Sequence, residues 1–88
     1  MDKSKGRILL ADDDASYAAT MAELLRAEGY DVTIAKDGDE AFNVAQREQF
    51  DLLLADLEMP GNEDLALVRG VASRHGNLPI IIVTGFPS

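Results

Sequence analysis

Apolar runs alternate with amphipathic stretches along the whole chain. Four short apolar runs predict strands over Arg7–Ala11, Asp31–Ala35, Asp51–Ala55 and Pro79–Val83. Between them, apolar residues recur every three or four positions, which predicts helices from about Ala15 to Glu28, after Asp37, and from about Glu63 to His75. Strict alternation of strands and helices predicts an α/β domain with a parallel sheet and right-handed crossovers.

The second apolar run differs from the other three. Val32 and Ile34 lie on one side of that strand and Thr33 on the other, which is typical of an edge strand half open to water. The other three runs lack this alternation, as expected for strands buried on both faces. The pattern therefore predicts the flavodoxin-like strand order 2-1-3-4, with helices on both faces of the sheet.

Capping residues stand at the ends of two predicted helices. Asp14 or Ser16 can cap the start of the first helix, and Gly29 can end it in a left-handed turn. Asp37 comes three residues before Glu40, the spacing of a capping box at the start of the second helix.

Composition narrows the class of protein. The chain has 88 residues, which suits one small domain, and its 47% apolar content is ordinary for a folded protein. A net charge of -8, with scattered basic residues, argues against direct contact with nucleic acid. The sequence has no cysteine, which excludes disulfides and thiolate metal sites. It shows no long apolar run and no leader pattern, so we expect neither a membrane span nor a signal peptide and favour a cytoplasmic location.

Polar residues collect where the predicted strands end. Asp12 and Asp13 follow the first strand, Asp56 ends the third, and Thr84 ends the fourth. Neighbouring strands lie about 4.8 Å apart, and two carboxylates about 4 Å apart repel by about 4 kcal/mol at an effective dielectric constant near 20. Either one carboxyl group takes a proton or a cation binds.

Oxygen ligands without His or Cys favour a hard ion such as Mg²⁺. Such an ion would neutralise an incoming phosphoryl group and allow a carboxylate to attack it. The hydroxyl of Thr84 could donate a hydrogen bond to a phosphoryl oxygen. The predicted site therefore suits phosphoryl transfer.

Three segments carry a family resemblance. They read ILLADDD at 8–14, DLEMP at 56–60 and IIIVTG at 80–85, and they span nearly the whole chain. In this order and spacing they resemble the CheY-like receiver domain of two-component response regulators.

The resemblance implies a role for each matching residue. It implies that Asp56 accepts a phosphoryl group from the phosphohistidine of a sensor histidine kinase or a phosphotransfer protein. It implies that Asp12, Asp13 and Asp56 hold Mg²⁺, helped by the main-chain carbonyl of Glu58. Thr84 would bind the phosphoryl group and help to switch the surface.

The sequence departs from the family in two places. The family domain continues with a helix, a strand ending in Lys, and a helix, so we expect residues 1–88 to be a receiver domain incomplete at its C-terminus. The Pro79–Val83 strand would then present an apolar edge through which two copies could pair as a homodimer. After Pro60, Gly61–Asp64 stands where the family often has Met-Asp-Gly, which we expect to affect mainly helix geometry.

Three functions remain open at this point. The first is a receiver that signals and is not an enzyme acting on an external substrate. The second is a haloacid dehalogenase-type phosphatase fragment with Asp12 as nucleophile, since Asp12–Asp14 has the Asp-x-Asp form and Thr84 ends a later strand. That class needs downstream Lys and acidic motifs absent here, and it gives no reason for Asp56 before Met59 and Pro60. The third is a truncated receiver acting only as an interaction module.

Overall fold

The computed structural model describes residues 4–56, 59, 62 and 65–83. Within these residues the elements are β1 (Arg7–Ala11), α1 (Ala15–Ala27), β2 (Asp31–Ala35), α2 (Gly38–Arg47), β3 (Leu52–Asp56), α3 (Ala66–Arg74) and β4 (Ile80–Val83). Every strand pairing is parallel, and the order across the sheet is β2-β1-β3-β4. The predicted flavodoxin-like order is confirmed, with β2 at an edge.

Alternate residues of the central strands point into two separate cores. Leu9 of β1 and Leu53 of β3 are fully buried on the face covered by α2 and α3. Ile8 and Leu10 point to the opposite face, where they pack with Ala22 of α1. Helices therefore lie on both faces of the sheet, as predicted, and β1 is buried on both sides.

Burial of β3 and β4 on both faces, in contrast, was a wrong prediction for the described residues. Leu52 and Leu54 are only half-buried, and the side chain of Ile81 on β4 is 52% exposed. The cause is the position of α1, which lies over β1 and β2 and leaves this side of β3 and β4 less covered. An apolar run shows that a strand can be buried, but not which strands a given helix will cover.

The predicted caps of α1 and α2 are confirmed. Asp14, not Ser16, caps α1, because its carboxylate accepts a hydrogen bond from the backbone N–H of Tyr17. At α2, the carboxylate of Asp37 accepts from the N–H of Glu40 at 2.8 Å. The Glu40 carboxylate accepts in turn from the N–H of Lys36 at 2.8 Å, one residue before the position a capping box predicts.

The third helix begins later than predicted. It starts at Ala66, and Leu65 before it adopts a left-handed conformation with φ 61° and makes no side-chain cap. This conformation costs an L-residue about 1–2 kcal/mol, so other contacts must hold Leu65 in place. Residues 63 and 64, where the helix was predicted to begin, lie outside the described residues.

None of the helices among the described residues combines the length and apolar character that crossing a membrane requires.

The two-core arrangement predicts a large contrast between two Leu→Ala substitutions. Leu9→Ala empties a fully buried site and should lower the free energy of unfolding by about 2–5 kcal/mol. Leu24→Ala, on α1, removes a side chain that is 60% exposed. It should change the free energy of unfolding by less than about 0.5 kcal/mol. Urea unfolding followed by circular dichroism measures both. Equal losses would contradict this placement of the core.

Candidate functional site

Asp12 is held by backbone contacts at the carboxyl end of β1. Its N–H donates to the carbonyl of Ala35 at 3.0 Å, which extends the β1–β2 ladder one residue beyond the strand. Its carboxylate accepts from the N–H of Asp14 at 2.9 Å. Only 6% of the residue is exposed, so Asp12 is a buried carboxylate with a fixed orientation.

Asp56 joins Asp12 from the neighbouring strand. The β1–β3 register pairs Ala11 with Ala55, so the residues that follow them meet at the same edge of the sheet. Asp56 is half-buried and Asp13 is exposed. Carboxylate oxygens of Asp12, Asp13 and Asp56 all lie within 4.8 Å of one another. The structure thus brings together the three acidic residues that the sequence predicted would converge.

The electrostatics of this cluster favour a bound cation. Burial raises the pKa of Asp12, and the charges of Asp56, Asp13 and Asp14 raise it further, against the opposing hydrogen bond from the Asp14 N–H. Two carboxylates at this separation repel by about 3–4 kcal/mol at an effective dielectric constant near 20. A ligand set made only of carboxylate oxygens matches the preference of a hard divalent ion. The donor chemistry of the cluster therefore fits Mg²⁺.

Two predicted site residues, Glu58 and Thr84, lie outside the described residues. The β3–β4 register pairs Asp56 with Val83, the residue immediately before Thr84 in the chain. The proposed roles of the Glu58 carbonyl and the Thr84 hydroxyl stay predictions.

Asn62 belongs to the surroundings of the site but was not singled out from the sequence. It is 1% exposed, and its side-chain Nδ2 donates to the backbone carbonyl of Asp56 at 3.0 Å. Its Oδ1 accepts from the N–H of Leu67 at 3.0 Å, in the first turn of α3. The only signal in the sequence was its place in a Pro-Gly-Asn turn, which does not distinguish a buried amide from an exposed one.

Comparison with known families identifies the domain. Residues 8–88 match the response regulator receiver domain family. The chain belongs to this family. Receiver domains are signalling domains that accept a phosphoryl group from sensor histidine kinases or phosphotransfer proteins, and they generally bind Mg²⁺ at an acidic pocket. The match favours the receiver over the phosphatase alternative, because it includes the segment around Asp56 that the phosphatase leaves unexplained.

Individual relatives agree with this assignment. The chain is 37% identical over 84 residues to the DNA-binding response regulator MtrA of Mycobacterium tuberculosis, covering 96% of this chain and 36% of MtrA. It therefore spans only about a third of that relative's length.

Solved receiver structures superimpose closely. The receiver domain of the Francisella response regulator 1452 aligns with a TM-score of 0.86 and 28% identity, covering 96% of this chain and 69% of that one. A Burkholderia pseudomallei response regulator, solved with a phosphorylated aspartic acid and a calcium ion, aligns with a TM-score of 0.83 and 30% identity. That alignment covers 93% of this chain and 48% of that one.

Crowding of the receiver carboxylates predicts that Asp12→Asn stabilises the metal-free protein. In EDTA at pH 7 we expect a gain of about 1 kcal/mol, or about 4–8 °C in the thermal midpoint for a domain of this size. The folded-state pKa of Asp12 lies above its ordinary value of 3.8. The destabilisation caused by the charge of Asp12 is therefore present above the raised pKa and disappears as the pH falls through it. The thermal midpoints of Asp12→Asn and of the unmodified protein should therefore converge as the pH is lowered.

Asp31→Asn is the matched control, since it makes the same charge change at an exposed position. Differential scanning calorimetry between pH 3.5 and 7.5, an interval spanning the ordinary Asp pKa, measures the three proteins. An equal gain in the control would mean that net charge, and not the cluster, causes the effect.

Proposed function

We propose that Asp56 is the phosphoryl acceptor of this receiver domain and that Asp12 and Asp13 hold the Mg²⁺ required for the transfer. The observation that carries the proposal is the convergence of three carboxylates within 4.8 Å at one edge of the sheet. Asp56 suits the acceptor role because it ends a core strand and remains half-buried, within reach of a donor. The phosphorylated aspartic acid of the Burkholderia relative supports the same role.

The proposed mechanism gives a role to each of the site residues. Asp12, Asp13 and Asp56, with the main-chain carbonyl of Glu58, would hold the Mg²⁺. When bound, the ion supplies positive charge that offsets the negative charge of the carboxylates and of the phosphoryl group.

A carboxylate oxygen of Asp56 attacks the phosphorus atom in line with the bond to the donor histidine. As the new O–P bond forms, the P–N bond breaks and the histidine nitrogen leaves with the electron pair. The hydroxyl of Thr84 then donates a hydrogen bond to a phosphoryl oxygen and helps to switch the surface.

The donor in this proposal is the phosphohistidine of a sensor histidine kinase or a phosphotransfer protein. The chain would work in the cytoplasm, as response regulators generally do. It would act as a switch and not as an enzyme that turns over an external substrate. With a net charge of -8, it would make no direct contact with nucleic acid.

Incubation with Mg²⁺ and acetyl phosphate tests the acceptor. We expect intact-mass spectrometry to show the addition of one phosphoryl group, and peptide mapping to place it on Asp56. Asp56→Asn and added EDTA should each abolish the modification, whereas Asp31→Asn should keep it. A phosphoryl group on Asp12 would instead support the phosphatase alternative, and an unmodified protein would contradict the proposal.

A second candidate role is self-association through β4, and one observation favours it. Ile81 and Ile82 are 52% and 38% exposed on this strand at the edge of the described sheet. Exposed apolar residues on an edge strand are a known route to pairing between chains. We propose that two copies pair there and that the domain also serves as an interaction module.

Sedimentation equilibrium tests this pairing. The apparent mass should rise with concentration, and Ile81→Lys should suppress the rise because a charge at the interface opposes pairing. Ile34→Lys makes the same change on β2, at the opposite edge, where Ile34 is 39% exposed. Association that survives Ile81→Lys, or is lost equally in both variants, would contradict pairing through β4.

A further inference from the structure

We propose that Asn62 is a positioning residue for phosphoryl transfer. Its side-chain amide ties the backbone of Asp56 to the start of α3 and so holds the proposed phosphoryl acceptor in place. The inference rests on the proposed function of Asp56, and it assigns a role to a residue that the sequence marks only as part of a turn.

Two hydrogen bonds place the amide between β3 and α3. Nδ2 donates to the carbonyl of Asp56, and Oδ1 accepts from the N–H of Leu67, each at 3.0 Å. The orientation of the amide follows from its partners, because a backbone carbonyl can only accept and a backbone N–H can only donate. The side chain of Asn62 therefore joins Asp56, the last residue of β3, to helix α3.

Helix α3 depends on this contact because its own N-cap provides none. Leu65 occupies the N-cap position in a left-handed conformation and makes no side-chain hydrogen bond to the helix. The N–H that a cap normally binds two positions later belongs to Leu67, and Asn62 binds it instead. The backbone carbonyl of Asn62 also accepts from the N–H of Leu65 at 2.9 Å. Asn62 thus sets where α3 begins.

Burial makes these bonds costly to lose. Asn62 is 1% exposed and is among the largest fully buried side chains of the described residues. Replacing it with an apolar residue would remove a partly buried hydrogen bond from the Asp56 carbonyl and a buried one from the Leu67 N–H. Each such loss costs about 1–3 kcal/mol. The position therefore requires an amide for its hydrogen bonds and not merely a side chain of this volume.

The amide is itself anchored to the core, so it can hold the backbone of Asp56 in place. Met59 is 5% exposed in the core beneath α2 and α3, and its carbonyl accepts from the Asn62 N–H at 3.1 Å. Asn62 thus connects Met59, buried in the core, to the carbonyl of Asp56. Loss of the amide removes the contact between the Asp56 carbonyl and α3, so the Asp56 carboxylate would be less well placed for the ion and for the phosphoryl donor.

The test compares Mg²⁺ binding in variants of similar stability. Asn62→Leu keeps the branching at Cγ and removes both hydrogen bonds, while Val32→Ala removes buried volume in the other core, beneath α1. The protein is studied at a temperature where circular dichroism shows every variant folded. Isothermal titration calorimetry gives the Kd for Mg²⁺, and mass spectrometry gives the rate of phosphorylation by acetyl phosphate.

We expect Asn62→Leu to raise the Kd for Mg²⁺ by about 10-fold and to slow phosphorylation by a similar factor, as for other residues that orient metal ligands. Val32→Ala should leave both values close to those of the unmodified protein. If Asn62→Leu also leaves both unchanged, Asn62 has a purely structural role and the inference is wrong.

Asn62→Asp decides the question if Asn62→Leu does not fold. It keeps an acceptor for the Leu67 N–H but cannot donate to the Asp56 carbonyl. Its extra negative charge would by itself strengthen Mg²⁺ binding, so unchanged or weaker binding would support the inference, and stronger binding would overturn it. Failure of the unmodified protein to become phosphorylated at Asp56 would instead refute the proposed function.

Discussion

Mutual repulsion of carboxylates at one edge of a parallel sheet is the constraint around which this domain is built. The register of β1 and β3 brings Asp12 beside Asp56, and Asp13 adds a third charge within 4.8 Å. Burial raises the pKa of Asp12, so the cluster is less stable without a cation than with one. In the proposed function, this concentration of negative charge holds Mg²⁺, and the site receives a phosphoryl group.

The rest of the fold opposes this repulsion by fixing the backbone around it. Asp12 is tied to β2 through the Ala35 carbonyl, and the carbonyl of Asp56 is tied to α3 through Asn62. Beneath the site, Leu53 and Met59 are buried in the core shared with α2 and α3. Charges held on rigid neighbours cannot separate to relieve their repulsion, which is the condition for strong and selective ion binding.

The two faces of the sheet differ in how completely they are covered. The side under α2 and α3 has a continuous core, whereas the side under α1 leaves Leu52, Leu54 and Ile81 partly open to solvent. Apolar side chains in this position can pack against further polypeptide, whether from the same chain or from a second copy. A polypeptide that packs on this face would therefore both bind the proposed receiver and stabilise it.

The sequence by itself determined the architecture and the acidic core of the site. Alternating apolar runs and helical stripes give the strand order, the caps of α1 and α2 are local signals, and carboxyl ends of neighbouring strands must meet at one edge. Only the tertiary structure decided the left-handed Leu65, the uneven cover of β3 and the buried amide of Asn62. Each of these depends on partners that no local pattern identifies: a helix placed over one half of the sheet, or a carbonyl and an N–H that one side chain contacts together.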